Sequence, residues 1–433
     1  MHEELLTADE AAAALRVSTK TVLRHIKSGQ LRASKVGRAW RIRRGDLPCL
    51  GSPASGVVYL DDNGSSPIAP AVVEAIAEVL THPIGNASSS HAVGQRSRAR
   101  IEEARERVAA LVGARPSEVV FTSGATEANN LILRGLAPSA PGVVISAGEH
   151  DSVSRVVEAL HDEGLVTRTV VGLTSVGSVD LDELDAYLAR GGIGLVSIVA
   201  ANGETGVLNP VEQIAQRVHA AGALLHCDAT QWVGRLPWSM SRCGADAISL
   251  SAHKMNGPQG VGALVARRGL LRRLRPVQLG GGHENGLRSG SYNVAGIVGL
   301  GVAAGLAAAP SDAARVAGLR DQFVDRLSQS VGAVLNGSRT QRLPNTANLR
   351  FAGAPGDAVL ARCPSVAASL GSACHAGAIE PSPTLLSMGL SRTEAGESMR
   401  FSLTRFTTAQ DVDRAASEVA RAVREVRVMQ EVA

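Results

Sequence analysis

The sequence predicts an α/β protein with a mainly parallel sheet in a large domain and a small α/β domain at the C-terminal end, preceded by a small winged helix-turn-helix domain. Three observations carry this prediction. Apolar, β-branched runs alternate with helical stretches from Val58 onward. That alternation implies crossover connections and a parallel sheet covered on both faces. Charge is uneven: residues 1–50 hold ten Lys and Arg against five Asp and Glu, while the other 383 hold 34 against 35. And the first 47 residues read as helix, tight turn, helix and basic hairpin.

The head comes first in the chain. Thr7, followed by Glu10, forms a capping-box pattern that starts a helix running to about Leu15. Ser18 can cap a second helix, TKTVLRHIKSG, with Val22, Leu23 and Ile26 on one face and Gly29 as its stop. LRASKV and AWRI then read as two strands joined by a Gly37–Arg38 turn. The second helix offers Thr19, Lys20, Arg24 and Lys27 for a DNA groove, and the hairpin offers Lys35, Arg38, Arg41 and Arg43 for phosphates. A small basic domain that docks on protein instead is the blander alternative. The stretch PCLGSPASG, within residues 48–57, is rich in Pro, Gly and Ser and reads as a linker.

In the body, EVVFT, GVVISA, GLVSIVA, ALLHCD and AISLSAH are expected as buried strands, with PAVVEAIAEVL and RARIEEARERVAALVG as helices between them. The domains are expected at 58–310 and 311–433. Ligands in such sheets bind at the carboxyl ends of the strands, and the polar residues cluster there. SGATEANN (123–130) follows a strand and opens a helix, where free amides attract phosphate. Asp228 ends a strand; as a buried carboxylate it needs a partner, either a cap or salt bridge or a protonated ring nitrogen. Lys254 follows a strand directly and suits Schiff-base chemistry, with Ser251 and His253 beside it as phosphate ligands. A strand-end Asp, a Lys 26 residues later and a phosphate-type loop upstream together match the plan of a pyridoxal phosphate site.

The composition is 45% hydrophobic and 19% charged, which fits a globular enzyme and argues against disorder. No 18-residue apolar run and no secretory signal pattern is present, so no membrane partner and a cytoplasmic location are expected. Five cysteines without a CxxC pair support neither a disulfide framework nor a zinc site, and no metal is expected. Cys227, Cys243 and Cys363 are expected in the core, and His82, His91 and His219 in structural roles; the role of His283 stays open. One thiol stands out. Cys374 lies in SLGSACHAG, a run of small residues that builds little core and invites mobility.

The blocks VYLDDNGSSPIAP, GNASSSHAVG, VVFTSGATEANNL, GEHDSV, LLHCDATQWVGRLP, SLSAHKMNGPQGVGAL, GGGHENGLRSGS, SLGSACHAG and SMRFSLTRFTT closely resemble the cysteine desulfurases of the iron–sulfur-assembly and nitrogen-fixation type. The first 47 residues resemble the excisionase/MerR-type DNA-binding module. The resemblance implies a class V, fold-type I pyridoxal phosphate transferase and a homodimer. It implies that Lys254 holds the cofactor, Asp228 its ring nitrogen, His150 its ring face and Gln231 its phenolic oxygen. Ala125, Thr126, Ser251 and His253 would bind the phosphate, joined by Ser291 from the second subunit. Asn86 and Arg400 would grip the carboxylate of L-cysteine, and Cys374 would take its sulfur as a persulfide for an acceptor, releasing L-alanine. Two alternatives stand beside it: a transcription regulator that joins a winged helix to a cofactor-binding fold with little or no catalysis, and a selenocysteine lyase. One departure stands out: the family's second Asn in Asn-Asn-Glu is Gly203 here. Asn202 would shift to compensate, or Gln231 would act alone, or the ring electronics would differ.

Overall fold

The computed structural model describes residues 5–15, 18–27, 31, 33–37, 39–43, 56–308, 312–370 and 380–432. Arg38, Cys49 and Cys374 lie outside these residues.

In the head, the expected Thr7–Glu10 box is formed. The Glu10 amide donates to Thr7 Oγ1 at 3.1 Å, and Glu10 Oε2 accepts from the Thr7 amide at 2.7 Å. The helices Ala8–Leu15 and Thr19–Lys27 bury Leu6, Ala11, Ala12, Val22 and Ile26 against Ile42. The strands Ser34–Val36 and Ala39–Arg43 form the wing, with Gly37 at φ +66° in its turn. A third strand, Leu5–Leu6, pairs with Arg43 and Ile42 and was not expected, because two residues carry no readable period.

The central sheet of the body has seven strands. In spatial order they are Val119–Thr122, Gly262–Ala266, Ala247–Ser251, Leu224–Asp228, Leu195–Val199, Gly142–Ser146 and Thr167–Val171. Gly262–Ala266 runs antiparallel to both neighbours, and the pairs from Ala247–Ser251 outward are parallel. Five of the strands are buried along their full length, so they read as continuous apolar runs. Thr122, Ser146, Val199, Asp228 and Ser251 therefore end at one edge, and the site lies there.

The second sheet of the body, in the order Val334–Leu335, Thr346–Arg350, Ser398–Ser402, Ser369–Leu370, is packed by the helices Ala313–Val331 and Ala409–Val432. Its core is centred on Phe323, Phe351 and Phe401. Val58 and Leu60 belong to this core, although they open the body. Strand Val58–Tyr59 pairs with Val366–Ala367, so the body opens against this second core before it enters the first. Among the described residues, no single helix is long and apolar enough to cross a membrane.

Candidate active site

Asp228 is buried at the end of its strand, and both carboxylate oxygens are satisfied. Oδ1 accepts from the Thr230 amide at 3.0 Å and Oδ2 from Asn129 Nδ2 at 2.9 Å. Asn129 lies four residues into the helix Ala125–Leu136, on its buried face, and also donates to Ser152 Oγ at 2.8 Å. Ser152 Oγ lies 2.8 Å from Nδ1 of His150, and the Ser152 amide donates to the same nitrogen at 3.0 Å. Two donors on Nδ1 leave the ring hydrogen of a neutral His150 on Nε2. His150 itself caps the helix Asp151–Asp162 and is exposed on its open side. Asp228, Asn129, Ser152 and His150 thus form one hydrogen-bonded chain across three elements.

Lys254 sits in the single turn Ala252–Lys254, directly after its strand. Nζ donates to the carbonyls of Asn63 at 2.5 Å and Gly64 at 2.7 Å. Burial pushes its pKa down to about 8, and the nearby charges of Arg235 and Arg400 act in the same direction. His253 is pushed down to about 4 by burial and by Lys254 and Arg235, so it is neutral; its Nδ1 lies 3.2 Å from Ser65 Oγ. Arg235 is held by a buried ion pair with Asp62 at 2.9 Å.

The helix Ala125–Leu136 starts at Gly124, which supplies no side-chain cap. Its first amides stay open at the strand edge, as an anion site requires. Ser251 is buried close by, its Oγ 3.6 Å from where a Cβ on Gly124 would stand. Thr126 is exposed at the helix start.

Arg400 lies on strand Ser398–Ser402. Nη2 pairs with Asp61 at 2.7 Å and Nη1 donates to the Gly203 carbonyl at 3.3 Å, while Nε is buried without a partner. Gly203 lies against Gln231: a Cβ there would stand 3.2 Å from Nε2. Asn202 is committed to the turn, donating to Gly148 O and accepting from the amides of Glu204 and Thr205. The Gln231 amide donates to Asn63 O at 3.1 Å and keeps a buried, unpartnered Oε1. Thr230 Oγ1 is also buried without a partner. The unpartnered atoms of Gln231, Thr230 and Arg400, the open helix start, the half-buried amine and the buried Asp228 fit a small phosphorylated heterocycle with a polar substrate attached.

Other expected residues stand further out. Asn86 is exposed, its Oδ1 accepting from the Ser88 amide at 2.9 Å. Ser291 is exposed on the segment after Gly290, whose amide donates to His283 Nδ1 at 3.3 Å. In the head, Lys20, Arg24, Lys27 and Lys35 are exposed as expected. Thr19 is half-buried instead, because its hydroxyl bonds Asp9 at 2.6 Å and ties the two helices together. Arg41 is half-buried and donates to the Trp40 carbonyl. His91 caps a helix, His219 bonds Asp246 and His82 bonds the Glu78 carbonyl, all structural roles. Burial raises the thiols of Cys227, Cys243 and Cys363 and so keeps them unreactive.

Sequence reasoning missed Asn63. It is buried, and its side chain donates to Gly203 O and Thr346 Oγ1 and accepts from Asn345. Its partners lie 140 residues or more away, so no local pattern marks it. Asn129 could have been found, as a polar residue at the buried phase of an otherwise apolar helix face.

The class-V aminotransferase family profile matches residues 58–415, and a helix-turn-helix domain profile matches residues 5–47. A cysteine desulfurase of Frankia sp. (strain EuIK1) is 44% identical over 389 residues, covering 86% of this chain and 92% of that protein. A solved NifS-like protein superposes with a TM-score of 0.78 at 32% identity, over 84% of this chain and 98% of that one. SspA, solved in complex with cysteine, gives 0.72 at 30% identity, over 81% and 99%. The chain belongs to the class-V aminotransferases and, within them, to the cysteine desulfurases, a family of pyridoxal phosphate enzymes, and it carries a helix-turn-helix domain at its N-terminal end.

Proposed function

We propose that this protein takes sulfur from L-cysteine onto Cys374 as a persulfide, releases L-alanine and passes the sulfur to an acceptor. The observation that carries the reading is where the Cys374 segment is anchored. On its N-terminal side, Ser369 pairs in register with Arg400 itself. On its C-terminal side, Ser382 Oγ donates to Glu204 at 2.6 Å, next to Gly203. Both anchors therefore touch the substrate end of the site. Cys374 is four residues past Leu370, within about 14 Å of it even when extended.

Lys254 would hold pyridoxal phosphate, Asp228 its ring nitrogen, His150 its face and Gln231 its phenolic oxygen. Ala125, Thr126, Ser251 and His253 would hold its phosphate. When bound, the cofactor supplies an electron sink that loosens bonds at the substrate carbons. With its pKa lowered to about 8, Lys254 has a far larger neutral fraction near neutrality than an ordinary lysine and would accept the substrate's α-proton. Arg400 and Asn86 would orient the carboxylate. The Cys374 thiolate attacks the substrate sulfur: the S–S bond forms, the carbon–sulfur bond breaks, and its electron pair stays on the carbon, which is protonated to give alanine.

Further proposals concern assembly. Ser291 and the exposed Leu279 lie on one surface segment, which suits a homodimer in which Ser291 completes the neighbouring site. The exposed cations of the head suit DNA, with two heads reading two half-sites. A cytoplasmic location suits the free thiols of Cys227, Cys243 and Cys363 among the described residues. The division of the body near residue 310 suits its two separate cores.

The test is mass spectrometry of Cys374 after addition of L-cysteine to the loaded enzyme. The expected result is the gain of one sulfur atom, absent in Cys374→Ser, which also loses alanine production. Alanine and free sulfide made at an undiminished rate by Cys374→Ser would overturn the persulfide reading.

A further inference from the structure

The segment RRGLLRRLR, residues 267–275, carries five arginines in nine positions. Leu270, Leu271 and Leu274 are buried, at 6%, 8% and 6% exposure, in the core beneath the helix Ala125–Leu136. Burying the leucines turns Arg267, Arg268, Arg272, Arg273 and Arg275 outward, and all five are exposed. The backbone is fixed in this arrangement. The Arg275 amide donates to Gly135 O at 3.1 Å, and a Cβ on Gly135 would meet Arg275 O at 2.8 Å.

These charges are not spent inside the fold. Arg267 Nε lies 3.6 Å from Asp246, but that carboxylate is buried and already bonded to His219 Nε2 and the Leu225 amide, both at 2.9 Å. The segment Arg268–Leu271 also packs against the turn Pro116–Glu118, where the Glu118 carboxylate accepts from the Arg115 amide at 2.8 Å. Arg268, Arg272, Arg273 and Arg275 have no carboxylate partner among the described residues. Four guanidiniums left unpaired at close quarters repel one another and favour a bound polyanion.

The strap does not serve the catalytic site. Strand Gly262–Ala266 pairs Gly262 with Ser251 and Thr122, at the site edge, and Ala266 with Ala247, at the other end. Arg267 therefore leaves the sheet at the edge opposite Lys254. Its leucines face inward, so the segment presents charge and no apolar surface of its own, and exposed apolar residues resume at Val277. Guanidiniums alone, in a short rigid row, suit phosphates, which they bind in bidentate fashion.

We propose that residues 267–275 form a second, sequence-independent DNA contact, gripping the phosphate backbone of the duplex that the head engages. The proposal rests on the DNA-binding reading of the head. The tether between them makes the second contact intramolecular, so modest contacts add to the affinity of the whole chain.

The experiment uses the full chain loaded with cofactor and a fluorescent duplex of about three helical turns, with affinity followed by anisotropy across a salt series. With Arg268, Arg272, Arg273 and Arg275 all changed to Gln, the slope of log affinity against log salt should shrink by about 3 to 4, since each phosphate contact contributes about 0.9. Arg272→Gln alone should shrink it by about 0.9, and alanine production from L-cysteine should be unchanged in both. In Lys20→Ala/Arg24→Ala, affinity should fall while the decrement due to the strap persists. A wild-type slope in the quadruple variant, with binding still lost in the head variant, would overturn the strap and leave the head reading intact. Failure of the wild-type chain to bind duplex at any salt would overturn both.

Discussion

The two flanks of Lys254 are finished to different degrees. On the Asp228 side each carboxylate oxygen has its donor, and Asn129 carries the bonding on through Ser152 to His150. On the Arg400 side the guanidinium is shared between Asp61 and a long contact to the Gly203 carbonyl, and one buried nitrogen has no partner. On the proposed assignment the Asp228 flank would face the cofactor, which stays through many turnovers and gains from a pre-organised site. The Arg400 flank would face the substrate carboxylate, which arrives and leaves and is better held by contacts that can be exchanged. Lys254 lies between them with its proton affinity lowered by burial and by cations, including that of the exchangeable flank.

Breaking the fixed flank should have the larger effect. Asp228→Asn removes the charge while keeping the shape. It should lower kcat by about a hundredfold or more, as loss of a pre-organised electrostatic partner does, with little change in KM. Steady-state alanine release checks this, and a change confined to KM would show that the flanks are not divided as described. On the other flank, Arg400→Met should raise KM about 10- to 100-fold, corresponding to one or two charge-assisted hydrogen bonds. The same variant removes a cation near Lys254. Burial and cations disfavour the ammonium form, so cofactor uptake by the empty protein should rise with pH through about 8 in the wild type, and its midpoint should move upward in Arg400→Met. Absorbance during reconstitution reads the midpoint without requiring turnover. The smallest change should come from Asp61→Asn. It frees Arg400 from a partly exposed pair of the kind worth about 0–1 kcal/mol, so KM should fall by up to about fivefold. A rise in KM would mean that Asp61 positions Arg400 and does not compete for it.

The same division separates what the sequence discloses from what it conceals. Asp228, Lys254, Ser251 and the opening of SGATEANN are legible, because each follows a buried apolar run and strand ends carry function in parallel sheets. In the head, the Thr7–Glu10 box and the basic hairpin are legible from local spacing alone. The exchangeable flank is far less so. Asp61, Asn63, Gly203, Glu204 and Arg400 meet across separations of up to 339 residues. No periodicity links them, and resemblance to a family had to supply Arg400. The antiparallel direction of Gly262–Ala266 is equally silent, since a buried strand looks alike in both orientations. Gly203 shows a further limit. From the sequence it is a missing Asn with three remedies; in the structure Asn202 is fully engaged by its own turn, which leaves Gln231 beside the gap.

The strand Ser398–Ser402 has a consequence for how such proteins diversify. It carries Arg400 and also fixes the start of the Cys374 segment through the pairing of Ser369, while Glu204 fixes the far end through Ser382. On the function proposed above, the chain between these two anchors could change in length and composition without disturbing how the amino acid would be held. Destination and chemistry would then be open to selection separately, and a laboratory graft of a foreign segment between Leu370 and Ser382 is a natural way to redirect the sulfur.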